Sequence, residues 1–180
     1  GCDTPIKDAL KLANTASGIV VGKLGTATVS AEEMRNALSC RETADNNWPQ
    51  KRKVVTLEQA EKIVAELRKQ NKIIGFTNGC FDCCHLGHLH SFIEAKKHCD
   101  VLFVAMNSDA CVKRHKGENR PIQDEKTRAL LLASLEFVDY VIVFNDDVPM
   151  NIVKTLRPDV IAKEGYPIEK WPEAQFVLSY

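Results

Sequence analysis

Charge of one sign is the first thing this sequence lacks. Lys and Arg total 24 and Asp and Glu total 24 across 180 residues. A chain without a net field has nothing to gather a polyanion along its surface, so neither a nucleic acid nor an anionic membrane is expected as a partner. No apolar run approaches the ~18 residues of a membrane span, and the start of the chain lacks the basic, apolar and small-residue blocks of a signal peptide. Pro5 stands where a myristoylation motif carries Ser or Thr. These absences point to the cytoplasm. No internal repeat or low-complexity tract is present, and no second Cys-x-x-Cys pair exists to complete a zinc site with Cys80-x-x-Cys83. Seven cysteines are an odd number in no regular framework, so most are expected to be reduced. Cys80, Cys83 and Cys84 then read as small apolar side chains packed around a turn, and no metal ligands are assigned.

What the chain does have is apolar content, 44% of residues, sufficient for the core of one full domain and a fragment of another. Its organising stretch is Lys72–His98. Ile73, Ile74 and Phe76 read as a short strand, a turn rich in Gly, Asn and Asp follows, and a helix begins near Leu86. At the carboxyl end of a parallel strand the chain swings into a helix whose first N–H groups lack partners, so the crevice there suits a phosphate. His85 and His88 are three residues apart and share one helical face, while Gly87 leaves the backbone open to a ligand. The simplest reading is an imidazole pair aimed at a bound phosphate.

Upstream, 8–21 reads as a helix of small side chains, Thr26–Val29 as a short extended piece, and Ser30–Glu33 as a capping box opening a second helix to about Leu38. These make no core of their own. The polar stretch Ser39–Lys53 has linker composition. Thr56–Gln59 is another capping box, with Leu57, Ala60, Ile63, Val64 and Leu67 on one helical face. Val101–Met106 is apolar at consecutive positions, as in a parallel strand covered on both faces. Asn107 and Asp109 then border the same crevice from a second strand's carboxyl end. Lys113, Arg114, His115 and Lys116 precede Gly117 and form a basic group able to hold a polyphosphate, Lys113 or Lys116 foremost. A helix over Asp124–Glu136, a strand at Tyr140–Phe144, a helix over Asp147–Leu156, a strand at Asp159–Lys163 and the start of a fifth strand in Phe176–Tyr180 complete the alternation. That order predicts an α/β fold: a doubly wound parallel sheet of Rossmann-like type, with a short helical N-terminal extension.

Thr77-Asn78-Gly79-Cys80-Phe81-Asp82 followed by His85-Leu86-Gly87-His88 resembles the H-x-G-H signature and G-x-F-D lead-in of the cytidylyltransferase-like nucleotidyltransferases. Residues 1–42 resemble the C-terminal edge of a ribokinase-like sugar kinase, on Ala13-Asn14, Ala16–Gly18 and Val20–Val29. Gly1–Thr4 faintly echoes that family's G-x-G-D-T loop, but Cys2 replaces its second glycine, and Asp3 is given no catalytic role. A kinase edge (1–42), a linker (43–55) and a nucleotidyltransferase domain (56–180) follow one another in the order of the bifunctional heptose 7-phosphate kinase/heptose 1-phosphate adenylyltransferases.

The resemblance implies transfer of AMP from ATP to heptose 1-phosphate, giving ADP-heptose for lipopolysaccharide core synthesis and pyrophosphate, with Mg2+ accompanying ATP. It implies catalytic roles for His85, His88 and Lys116. Nucleotide contacts fall to Thr77, Asn78, Gly79, Phe81, Asp82, Gly87, Asn107, Asp109, Lys113 and Arg128, with Asp82 chiefly ordering the loop and Arg128 reaching back from its helix. Lys163-Glu164-Gly165-Tyr166 departs from the family's Lys-Gly-Gly-Asp-like segment and puts Glu164 near the substrate. The family's Ser/Thr-rich motif, which closes on the triphosphate, does not occur before Tyr180. ATP and a sugar phosphate are the expected partners, and a homo-oligomer is compatible with the sequence. Two alternatives stay open. One is a CTP-dependent enzyme acting on a phosphorylated alcohol, since the histidine motif does not choose the base; the other is a non-catalytic nucleotide-binding protein.

Overall fold

A computed structural model describes residues 5–21, 23, 27–35, 37, 48–163, 165 and 167–180. The chain divides into two compact units, Gly1–Trp48 and Pro49–Tyr180. In the first, helix α1 spans Ile6–Val21. It starts earlier than the side-chain pattern indicated because the Pro5 carbonyl accepts from the Asp8 and Ala9 N–H groups. The expected capping box opens a short helix α2 over 31–35. Ser30 N–H donates to Glu33 Oε2 (2.8 Å) and Glu33 N–H to Ser30 Oγ (3.1 Å), so each terminus group satisfies the other. Of the expected continuation to Leu38, residue 37 is helical, while 36, 38 and the polar stretch over 39–47 lie outside the described residues.

The second unit is built on four parallel strands: β1 (Ile74–Gly79), β2 (Val101–Asn107), β3 (Tyr140–Phe144) and β4 (Val160–Ile161), in the spatial order β3-β2-β1-β4. Helices α3 (Leu57–Lys69), α4 (Leu86–Lys96), α5 (Asp109–Lys116), α6 (Glu125–Ala133) and α7 (Met150–Leu156) alternate with the strands. The consecutive apolar residues of β2 divide between two cores. Phe103 and Ala105 pack with Val64, Ile152 and Val153 of α3 and α7, whereas Leu102, Val104 and Met106 pack with Phe92, Ala129 and Leu132 of α4 and α6. A strand buried on both faces needs no polar alternation, which is why the run is unbroken. Phe103 lies opposite Tyr140 in the β2–β3 register, their rings stacked with centroids 4.9 Å apart.

The chain moves outward from β1 through β2 to β3 and then returns to place β4 on the other side of β1. Connections therefore leave β1 and β4 in opposite directions, and a crevice opens at their carboxyl ends.

Two sequence expectations need correction. Phe176–Tyr180 does not begin a fifth strand; a helix α8 spans Pro172–Val177. Pro172 at the first helical position has its φ preset for a helix and no N–H to waste. Trp171 and Ala174 are buried, and Phe176 and Val177 pack on the core beside α7. The strand expected over Asp159–Lys163 is confined to Val160–Ile161, paired with Gly75 and Phe76. The linker-like composition also hides anchored backbone. Pro49–Lys53 is a 3-10 turn, Lys53 Nζ donates to the Val138 carbonyl (2.8 Å), and Val54 bridges to Val141. No helix among the described residues is long and apolar enough to cross a membrane.

Gly75 shows how closely β1 is packed. A Cβ there would lie 2.5 Å from Cys99 Sγ and 2.9 Å from Cys99 Cβ, inside any allowed contact. Gly75→Ala is expected to lower stability by about 1–3 kcal/mol, seen as a lower urea midpoint with an unchanged slope. An unchanged midpoint would contradict the contact.

Candidate active site

The crevice at the β1/β4 boundary holds a cavity of about 320 Å³. Thr77, Asn78 and Gly79 come from the end of β1, Phe81 from the following turn, and His85, Gly87 and His88 from the start of α4. Seven of the residues singled out in the sequence thus share one wall. Ser91, Phe92 and Lys163 complete it. Lys163 escaped assignment as a site residue, although its position just beyond the carboxyl end of β4 is where this class of fold places ligand-facing residues. Glu164 lies outside the described residues. A neighbouring cavity of about 410 Å³ runs along α4 toward β4 and shares Ser91 and Lys163.

The two imidazoles also close the start of α4. His85 is the N-cap of α4, and its Nδ1 accepts the Gly87 N–H at 3.1 Å. His88 Nδ1 accepts the His85 N–H at 3.3 Å. A ring nitrogen that accepts cannot carry the proton, so each neutral ring holds its hydrogen on Nε2 as a donor. The rings lie against each other with centroids 4.0 Å apart. Phe81 props them from beneath, its ring edge-on to His88 at 5.2 Å and itself buried against Phe92. Gly87 serves a purpose beyond an open backbone: a Cβ there would stand 3.0 Å from His85 Cε1, so the folded-back ring occupies the space a side chain would need.

The loop between β1 and α4 turns through left-handed backbone at two non-glycine residues, Phe81 (φ 48°) and Cys83 (φ 64°). Such conformations persist only where the surroundings hold them. Asp82, between them, has a fully buried side chain. It accepts from Arg120 Nη1 (2.8 Å) and from the Ile122 (2.9 Å) and Gln123 (3.3 Å) N–H groups. Burial pushes its carboxyl up, but the Arg120 hydrogen bond and the two backbone donors outweigh it and hold the carboxyl below the ordinary aspartate range. Asp82 therefore orders the loop rather than facing a ligand.

Arg128 is placed beneath the loop, with no exposed surface. Its Nη1 donates to the carbonyls of Cys80 (2.6 Å) and Asn107 (2.9 Å), its Nε to that of Gln123 (3.0 Å), and its Nη2 to Asp109 Oδ1 (2.6 Å). The guanidinium thus joins the ends of β1 and β2 and the first residue of α5, where the sequence had it reaching a nucleotide. Asp109 faces Arg128, and the Asn107 amide lies between Cys80 and Cys111. Neither lines the cavity, and nor do Lys113 and Lys116 in the last turn of α5. Lys116 is near enough to Cys80 to oppose, with Arg128, the rise that burial gives its thiol. Cys83 is exposed, contrary to the packing role expected of it, because the left-handed turn projects its side chain outward.

Two outcomes follow. The folded pKa of Asp82 is depressed, so its contribution is present above about pH 4 and is lost as pH falls through the lower folded value. Hydrogen exchange at the Ile122 and Gln123 amides should accelerate across that acid window in the wild type, and should show no such step in Asp82→Asn. Arg128→Met strands three carbonyls and the Asp109 carboxylate, and is expected to cost about 3 kcal/mol or more in chemical denaturation.

Residues 76–179 match the family model described as Cytidylyltransferase-like. The chain is 46% identical over 159 residues to the bifunctional protein HldE of Rhodospirillum rubrum, covering 88% of this chain and 31% of that protein. It is 42% identical over 165 residues to the bifunctional protein HldE of Aliarcobacter butzleri, covering 92% of this chain and 34% of that one. It therefore spans about a third of the length of these relatives. Its fold matches that of the lipopolysaccharide core biosynthesis protein from Thermoplasma volcanium GSS1 with a TM-score of 0.51 and 30% identity, over 60% of this chain and 88% of that one. With its H-x-G-H residues at the switch point of a parallel sheet, this chain belongs to the cytidylyltransferase-like family.

Proposed function

We propose that the chain transfers AMP from ATP to heptose 1-phosphate, giving ADP-heptose and pyrophosphate, as a cytoplasmic step toward lipopolysaccharide core. The observation that carries this reading is the pair of Nε2–H donors, His85 and His88, set on the wall of a cavity at the β1/β4 switch point. The choice of substrates is supported by similarity to proteins named bifunctional HldE across most of the chain, and to a lipopolysaccharide core biosynthesis protein. We read 1–42 as the edge of a kinase-like part, 43–55 as its linker and 56–180 as the transferase domain.

In the reaction a phosphate oxygen of the sugar attacks the α-phosphorus in line. The new O–P bond forms as the bond to the β-phosphate oxygen breaks, and pyrophosphate leaves. No covalent enzyme intermediate is required, so the protein's task is positioning and charge neutralisation. His85 and His88 donate to phosphate oxygens as charge builds there, aided by the positive end of α4. Lys163 adds a cation on the β4 side, and Lys113 and Lys116, in the last turn of α5 and outside the cavity lining, are read as meeting only a part of the triphosphate that extends beyond it. The buried Asn78 Oδ1 has no hydrogen-bond partner among the described residues, and would accept from a ribose hydroxyl or base amine. Among the described residues no carboxylate lines the cavity, so none of them would hold Mg2+, which we read as entering with ATP. The adjoining cavity offers room for the sugar.

His85→Asn separates the two duties of that ring, since Asn supplies a capping acceptor but no donor at the Nε2 position. It and His88→Ala should each leave the fold intact and lower kcat by about 10²–10³, measured as pyrophosphate release from ATP with heptose 1-phosphate. Faster turnover of CTP would replace this reading with a cytidylyltransferase, and ATP binding without turnover would leave a nucleotide-binding protein.

A further inference from the structure

A cluster of metal-ligating side chains lies outside the cavity. Cys111 and His115 are four residues apart on α5 and so share one face. Asp147 meets them from the loop after β3. The Cys111 sulfur, a His115 ring nitrogen and an Asp147 carboxylate oxygen all lie within 4.8 Å of one another, and this is the one such trio among the described residues. We propose that Cys111, His115 and Asp147 bind a divalent cation of the zinc class.

The donor set selects the ion. A thiolate, an imidazole and a carboxylate suit zinc in a tetrahedral site, whereas Mg2+ demands oxygen ligands in an octahedron. The site is thus separate in kind from the metal that accompanies a nucleotide. Tetrahedral bonds of ~2.0–2.3 Å hold ligand atoms roughly 3.3–3.6 Å apart. His115 Nε2 and Asp147 Oδ1 already stand at 3.2 Å, so closure needs only an approach to the Cys111 sulfur. That sulfur now donates to the Asp146 carbonyl (3.4 Å) and accepts from Asn107 Nδ2 (3.1 Å). Metal binding releases the thiol proton to solvent, frees the Asp146 carbonyl or a water to serve as fourth ligand, and leaves Asn107 as an outer donor to the thiolate.

One neighbour opposes the ion. Arg114 Nη2 donates to Asp147 Oδ1 at 3.1 Å. The same guanidinium also holds the Asn145 carbonyl and side chain, so it can surrender Asp147 and stay anchored. A bound ion would then fasten the last turn of α5, which carries Lys113 and Lys116, to the loop after β3.

The test is equilibrium dialysis of the whole chain against Zn2+, with Co2+ titrated in parallel as a spectroscopic probe. Expected are a single bound ion and a thiolate-to-cobalt charge-transfer band that is lost in Cys111→Ser. Because Cys111 is buried and its replacement could disturb the fold, the exposed partners provide the independent arm. His115→Ala and Asp147→Asn should each weaken binding by at least about tenfold, while Arg114→Gln should tighten it. Absence of stoichiometric binding would overturn the proposal. So would a band that survives His115→Ala and Asp147→Asn yet disappears in Cys83→Ser, which would put the ion on the Cys80-x-x-Cys83 turn.

Discussion

A guanidinium with no contact with water, Arg128, holds the ligand end of the sheet together. Where β1 and β2 stop, their last carbonyls point into a region with no further strand N–H to receive them, and each would be costly to leave unpaired. Arg128 donates to one carbonyl at each strand end and balances its own charge on Asp109. The planar fork of donors is what permits this, because a lysine in its place could not meet acceptors spread over three loops. The left-handed turn carrying Phe81 and Cys83 is then clamped from the opposite side by Asp82 and its partners near Arg120. Two buried charges, one of each sign, thus fix a segment whose backbone would otherwise relax.

The histidine pair depends on that clamping. Each ring uses its Nδ1 to close the start of α4, so the residues that cap the helix are the ones that also line the cavity. This accounts for the spacing of His85, Gly87 and His88 better than helical periodicity alone. The first imidazole folds back over the second helical residue, and a Cβ there would press on the ring at 3.0 Å and make it shift.

Much of the architecture was legible because burial writes itself directly into composition. The unbroken apolar run of β2, the capping residues Ser30 and Thr56, and the strand-turn-helix around His85 all became what their local chemistry dictates. The failures share a cause, which is that long-range pairing leaves no trace in a window of neighbours. Arg128 looked like a side chain that should reach outward, since nothing nearby in sequence reveals that Cys80, Asn107 and Asp109 converge on it. Lys163 was passed over in favour of Glu164, although its place after β4 was itself the available signal. The helix at Pro172 was announced by its proline, yet the apolar residues that follow were read as strand. Lys51–Lys53, read as solvated linker, proved to carry an anchor in Lys53, whose partners are carbonyls more than eighty positions away.

That anchored segment bears on how the sheet ends. β3 is the outermost strand on its side, and an outermost strand offers unpaired backbone to any passing chain. Here Val55 donates to the Val141 carbonyl at 2.9 Å and Val54 lies alongside it as a bridge, so the middle of that margin is already occupied. On the opposite margin β4 is only two residues long, too brief a template for a foreign strand to extend. The sheet is thereby guarded against self-templated aggregation at both rims, by a scrap of polar-looking sequence on one side and by brevity on the other.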